Sequence, residues 1–306
     1  MLYFLPSTVR GCVAGLLLVL NTLTLCWPLF IITFLKLIIP IQGWRAWCAK
    51  VSIRIAELWM TINSGWIHLT QKPKWHIEGL EQLQKEGWYL VTSNHQSWAD
   101  ITILQHILNR RIPMLKFFLK QELIWVPFIG LCWWALDFPF MKRYSRDYLE
   151  KYPEKKGQDL ETTRKACEKF RNTPVAIFNF LEGTRFTPHK HRDQQSPYQF
   201  LLKPKAGGIG FVLGAMGDQL KSMLNITIYY PAQYRSYWDF LCGKFRNVVI
   251  KIEQTEIPNE FKNKDYLNDP VFREQFQFWV SDLWQKKDKL LADMHQQYTQ
   301  RSHNNP

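Results

Sequence analysis

The stretch Gly11 to Leu35 (GCVAGLLLVLNTLTLCWPLFIITFL) contains no charged residue and is long enough as a helix to cross a hydrocarbon core of roughly 30 Å. Nothing else in the chain constrains its fold as strongly, because a run this apolar must hydrogen-bond its own backbone wherever water is excluded. After Lys36 the apolar character resumes as LIIPI. A secretory signal has a shorter apolar core and a small-residue cleavage site, so this segment is expected to be retained. Pro28 lies well inside the run. Proline there either kinks one long helix or separates two short ones, so a single span and a re-entrant hairpin both fit, and a buried core helix is the bland alternative. Arg10 on one side and Lys36, Arg45 and Lys50 on the other place the rest of the chain on the cytoplasmic side under the positive-inside tendency. In a bacterium that membrane is the inner one.

The remaining length suits a sizeable folded body: 306 residues, 46% hydrophobic and 15% aromatic, exclude a disordered chain. Lys and Arg outnumber Asp and Glu by 39 to 26, a net charge of +13, which predicts attraction to a polyanion such as a nucleic acid, an anionic lipid surface or a phosphorylated substrate. The six cysteines form no C-x-x-C pair, which argues against a disulfide framework or a zinc site. No metal is expected.

Residues 1–43 are expected to form the membrane segment and 71–306 the globular body. Between them, 44–70 has helical spacing, mixed apolar and basic positions and tryptophans at 44, 47, 59 and 66. That pattern fits an amphipathic helix at a membrane interface and equally a helix packed on the body. From residue 75 onward, strand candidates WYLVT (88–92), VAIFNFL (175–181), LNITIYY (224–230) and VVIKI (248–252) alternate with helical stretches at 101–108, 158–170 and 271–298. The expectation is an α/β fold with a central mixed or mostly parallel sheet flanked by helices, preceded by a membrane-embedded helix or helical hairpin. Residues 120–140 are nearly all apolar but broken by Pro127, Gly130 and Asp137, which suits buried helix and strand or a surface for acyl chains more than a second span.

The chemistry is concentrated in two motifs. NHQSWAD (94–100) holds a histidine and an aspartate that would lie about 140° apart on a continuous helix, so they cooperate only if the chain turns between them. A strand ending near Ser93 and a helix beginning near Ser97 supply the turn. Ser97 to Asp100 also matches S/T-x-x-[DE], in which the acid satisfies backbone N–H groups at a helix start. An imidazole with an ordinary pKa of about 6.5, oriented by a carboxylate, can take a proton from a substrate hydroxyl without any protein nucleophile. N–H groups near Ser97 are candidate donors for an oxyanion. The second motif, LEGTRF (181–186), follows a strand candidate directly. Glycine lets backbone approach a ligand, threonine donates hydrogen bonds and arginine binds phosphate bidentately, although a polar surface turn has the same composition. Lys190, Arg192, Lys203 and Lys205 add positive charge nearby.

In this order, with a strand ending in Tyr229-Tyr230-Pro231, the motifs resemble those of the glycerolipid acyltransferases typified by 1-acylglycerol-3-phosphate acyltransferase, over residues 75–235. FLEGTRFT followed by KHR is most similar to the branch containing lysocardiolipin acyltransferases and related bacterial inner-membrane proteins. The resemblance implies His95 as general base for the acceptor hydroxyl and Asp100 as its partner. It implies a phosphate-binding set of Glu182, Gly183, Thr184 and Arg185, with Arg185 holding the acceptor phosphate. It puts a further acceptor-binding arginine at Arg143, where Asp137 stands near the usual upstream glycine, and gives Asn94 and Pro231 structural roles. The expected reaction moves a fatty acyl group from acyl-CoA or acyl carrier protein to the free hydroxyl of a lysophospholipid, with no cofactor and no nucleic-acid partner. The alternative is a membrane-associated lipid-binding protein that keeps the fold without turnover. A serine esterase is disfavoured by the lack of a G-x-S-x-G serine.

Overall fold

The computed structural model describes residues 2–141, 152, 167, 170, 173–232 and 236–304, with side chains to 300 except that of Met141. The helix expected over 158–170 and the acceptor-binding role expected of Arg143 fall outside the described residues.

The apolar run is one helix, α1 (Ser7–Ile38), which continues through Pro28, so the chain does not divide there. It ends before Pro40, whose ring disfavours a helical residue ahead of it, and α2 (Gln42–Thr70) follows after three residues. The two helices pack along each other through polar contacts that fix their register. Asn21 Nδ2 donates to Asn63 Oδ1 at 2.8 Å and Trp59 Nε1 to Thr22 Oγ1 at 3.0 Å, the kind of interhelical polar bond that specifies one alignment among many apolar ones. The other face of α1 carries Leu16, Leu20, Leu23, Trp27, Ile31 and Phe34 in the open, each 38–64% exposed. Residues spaced three and four apart share a helix side, so this is one continuous apolar stripe. Among the described residues α1 is the one helix long and apolar enough to cross a membrane.

The body is built on a six-stranded sheet in the order β1-β8-β7-β2-β6-β3. The strands are β1 (Lys74–Glu78), β2 (Tyr89–Ser93), β3 (Leu115–Phe117), β6 (Ala176–Phe180), β7 (Ser222–Tyr229) and β8 (Asn247–Glu256). Strands β7, β2, β6 and β3 run parallel, while β8 is antiparallel to β7 and carries β1 parallel to itself. A small second pair joins β4 (Leu119–Lys120) to β5 (Phe140–Met141). The central strands are buried on both faces, which is why they read as unbroken apolar runs. Leu90, Ile177 and Met223 face a core with α6 (Gly207–Met216) and α8 (Pro270–Asn304). Tyr89, Val91, Phe178 and Leu224 face the opposite core with α3 (Ala99–Leu108), Trp66 and Ile67 of α2, and α7 (Tyr237–Leu241). Residues 120–140 form a 3-10 turn (Gln121–Trp125), α4 (Ile129–Ala135) and β5. Leu29 of α1, Ala56 of α2, Ala135, Leu136 and Phe138 make a third apolar cluster, so this stretch packs on the helical pair. A short helix α5 (Pro188–Asp193) follows the second motif.

Candidate active site

Strand β2 ends at Ser93 and α3 begins at Ala99, so NHQSWAD is the turn at the carboxyl end of a central parallel strand, where open α/β sheets present their ligands. Asn94 locks this turn to the neighbouring strand: its Nδ2 donates to the Ile228 carbonyl and its Oδ1 accepts the Ile228 N–H, both at 2.8 Å. His95 Nδ1 then lies 2.8 Å from Asp100 Oδ2. The same oxygen accepts the N–H groups of Gln96 at 2.7 Å and Ser97 at 2.9 Å, while Oδ1 accepts the Tyr230 hydroxyl at 2.5 Å. Asp100 is fully buried and His95 only 6% exposed. A buried carboxylate receiving this many hydrogen bonds is held in one orientation. With Nδ1 directed at Asp100, Nε2 is the ring nitrogen left to exchange a proton with a substrate.

Two expectations change here. The N–H groups of Gln96 and Ser97 are bound by Asp100, and that of Ala99 donates to Ser97 Oγ at 3.1 Å. The start of α3 therefore holds the turn together and does not present these donors to an oxyanion. Glu182, expected at the phosphate pocket, is fully buried behind the histidine. Its Oε1 accepts the His95 N–H at 2.8 Å and its Oε2 the Leu202 N–H at 3.1 Å. Burial pushes its pKa up to about 8, against the pull of those two N–H groups and of Lys287. A carboxyl in that position braces the His95 backbone and is closed off from a ligand.

The rest of LEGTRF turns outward. Gly183 has φ of +66°, a region where a Cβ is strained, and that turn releases the chain from β6. Thr184 Oγ1 accepts Lys190 Nζ at 2.6 Å, and the same ammonium reaches the Arg185 carbonyl at 3.3 Å. Arg185 is half-buried, its guanidinium 4.8 Å from the centre of the Trp98 ring, a cation–π contact. The loop is tied back to the base by the Phe186 N–H on the His95 carbonyl at 2.8 Å. His95 and Arg185 therefore flank Trp98, whose ring centroid is 6.1 Å from that of His95. Lys203 and Lys205 are exposed on the following segment, with the Lys205 side chain beside Gly183. Pro231 directly follows β7 and Tyr230.

Trp98 also opens onto an apolar cavity of about 360 Å³. Its walls include Leu25 and Leu29 of α1, Trp59 and Met60 of α2, and Trp133 of α4, so the helical pair and the residues 120–140 segment enclose it together. Three contributors have no assigned role in the sequence reading. Tyr230 binds Asp100, Phe180 stacks under His95 with centroids 3.9 Å apart and planes at 14°, and Trp98 joins the base, the arginine and the cavity. Phe180 and Tyr230 sit inside quoted motifs, but only the register of β2 with β6 and β7 brings them to His95.

Residues 74–224 match the acyltransferase family model. The chain carries an acyltransferase-family domain. Among curated relatives, it is 26% identical over 186 residues to 1-acyl-sn-glycerol-3-phosphate acyltransferase gamma of Mus musculus, covering 57% of this chain and 44% of that protein. It is 23% identical over 282 residues to lysophosphatidylinositol acyltransferase 10 of Caenorhabditis elegans, covering 87% of this chain and 67% of the relative. The chain thus spans about half the length of the mouse relative. The fold is similar to the crystal structure of the 1-acyl-sn-glycerophosphate acyltransferase PlsC from Thermotoga maritima, with a TM-score of 0.55 at 18% identity over 94% of this chain and 98% of that one. The family-model match begins after α2 and ends before α8, whereas the structural similarity extends over 94% of the chain.

Proposed function

We propose that this protein is a membrane-associated O-acyltransferase that moves a fatty acyl group from a thioester, acyl-CoA or acyl carrier protein, to the free hydroxyl of a lysophospholipid such as 1-acylglycerol-3-phosphate. The observation that carries the proposal is the His95–Asp100 pair at 2.8 Å with Arg185 across Trp98. His95 Nε2 takes the proton of the acceptor hydroxyl as its oxygen attacks the thioester carbonyl, and Asp100 stabilises the imidazolium that forms. The proton is then available to the departing thiolate as the tetrahedral adduct collapses, so no acyl-enzyme is needed. Arg185 grips the acceptor phosphate bidentately, with Gly183 and Thr184 shaping that end of the loop.

The cavity beyond Trp98 is of the size and apolar character that suit a fatty chain, and a chain seated there enters from the side of α1. The exposed stripe of α1 and the exposed Trp125, Phe128 and Leu131 are apolar surface of the kind that marks a membrane contact. Lipid acceptor and product then reach the site without crossing water.

The test is product-lipid analysis with the full chain in membranes, offering a panel of lysophospholipids with labelled acyl-CoA or acyl carrier protein. Formation of a diacyl product by the wild type and its loss in His95→Ala, with membrane association unchanged, is the expected result. Undiminished turnover in His95→Ala would overturn the assignment of the base, and binding without turnover in the wild type would favour the lipid-binding alternative.

A further inference from the structure

The match to the acyltransferase family model ends at residue 224, yet the bonds that hold the buried Glu182 brace continue into α8. Trp284, Lys287 and Asp288 stand three and four positions apart, on one side of that helix. Asp288 accepts two backbone N–H groups of the 199–202 loop, Gln199 on Oδ2 and Phe200 on Oδ1, both at 2.8 Å. Trp284 Nε1 donates to the Leu202 carbonyl at 2.9 Å. The loop then serves the site on its other side. Leu202 N–H bonds Glu182 Oε2 at 3.1 Å, Glu182 Oε1 takes the His95 N–H at 2.8 Å, and Gln96 Nε2 reaches the Phe200 carbonyl at 3.4 Å. Lys287, fully buried, donates to the Ile226 carbonyl at 2.5 Å and Thr227 Oγ1 at 3.1 Å. It thereby fixes the same helical turn to β7, the strand that receives Asn94 and leads into Tyr230.

We infer that the helical turn Trp284–Asp288 is a positioning element for the base. Asp288 acts through the 199–202 loop and Glu182 to set where the His95 backbone lies. The inference rests on the reading of His95 given above. A carboxylate accepting two adjacent N–H groups defines both the height and the tilt of a loop, which a single contact cannot do, and charge-assisted bonds are the stronger kind. A shift of about 1 Å at a reacting group is enough to cost on the order of a hundredfold in rate.

Two readouts on the full chain test this. In acyl-transfer assays with labelled oleoyl-CoA and lysophosphatidic acid, Asp288→Ala is expected to lower kcat by about tenfold to a hundredfold while KM for both substrates stays within about twofold. Asp288→Asn, whose single amide oxygen keeps one of the two bonds, should fall between them. Because Asp288 and Glu182 act in series, adding Asp288→Ala to Glu182→Gln should slow the enzyme little beyond Glu182→Gln alone. Asp282→Ala, on the outer side of the helix in the exposed pair with Lys286, should leave turnover unchanged. Wild-type kcat in Asp288→Ala, a loss seen only in KM, or multiplying losses in the double variant would each overturn the inference. The second readout needs no turnover. Hydrogen exchange in Asp288→Ala should quicken at residues 93–97 and 199–202 and not across β7 and β8, whereas uniform quickening or no change overturns it. A wild type that transfers no acyl group would refute the function of His95 and leave the exchange measurement to decide the clamp. If Asp288→Ala does not fold, Asp288→Asn carries both measurements.

Discussion

The two ends of the site are built to opposite rules. At the base end every carboxylate oxygen is engaged: Asp100 holds His95, two N–H groups and Tyr230, and Glu182 holds two more N–H groups. At the end proposed to bind phosphate Arg185, Lys190, Lys203 and Lys205 have no carboxylate partner among the described residues. One end is finished by the protein itself. The other presents charge that no described carboxylate matches. A proton-transfer geometry must be fixed before substrate arrives, because reorganising it during reaction costs rate, whereas a binding end gains most by spending its charge on the ligand.

The contrast predicts that substitutions at the base end damage both turnover and stability, and those at the phosphate end damage acceptor binding alone. The largest effect is expected for Asp100→Asn, which removes a buried charge from its partners. It should lower kcat on the order of a thousandfold and destabilise the fold by about 3–5 kcal/mol, read by turnover and urea unfolding. Arg185→Ala should cost about 1.5–3 kcal/mol of acceptor recognition, a tenfold to hundredfold loss in kcat/KM, with its melting temperature unchanged. A cooperative loss of stability there would erase the distinction. Tyr230→Phe removes one bond to Asp100 and should cost about 1.5–3 kcal/mol of stability, with a smaller fall in kcat than Asp100→Asn. Lys190→Ala should raise the acceptor KM a few-fold and weaken the salt dependence of binding, since its charge acts over a screened distance.

The smallest effect separates the pH response of the fold from that of the site. His106, between Ser64 at 2.7 Å and the His68 ring at 5.3 Å, has its pKa lowered from 6.5 to about 4 by burial and by the nearby His68 and Arg111. The folded protein keeps this imidazole neutral. As pH falls from 6.5 towards 4 the unfolded chain takes up a proton that the folded chain refuses, so stability declines across that window and no further below it. His106→Gln should flatten that part of the urea-midpoint profile while leaving the pH dependence of kcat in place. A change in the kcat profile would show that the two titrations are linked.

How much was legible follows from distance along the chain. His95 and Asp100 lie within one turn, and their partnership needs only a strand end and a helix start. Gly183 to Arg185 likewise announce a loop at a strand exit. The strands at 89–93, 176–180 and 222–229 are apolar on both faces and readable as runs. Strand β1 is not, because its half-exposed KWHIE alternates with charged residues at an edge, and α6 opens on two glycines that weaken any helical signal. The brace role of Glu182 was hidden as well. Nothing local distinguishes a glutamate facing a ligand from one facing two backbone N–H groups in neighbouring loops.

The sequence by itself determined the apolar helix, the α/β alternation and the two motifs, since each is set by local periodicity or by residues a few positions apart. Only the tertiary structure decided that the helix runs unbroken past Pro28 and returns as α2, that Tyr230 and Phe180 close around His95 and Asp100, and that α8 is bonded to the 199–202 loop behind Glu182. The contacts that join them run from 42 positions apart, for Asn21 and Asn63, to 130, for Asp100 and Tyr230, and strand register and helix packing, which depend on the whole core, choose them.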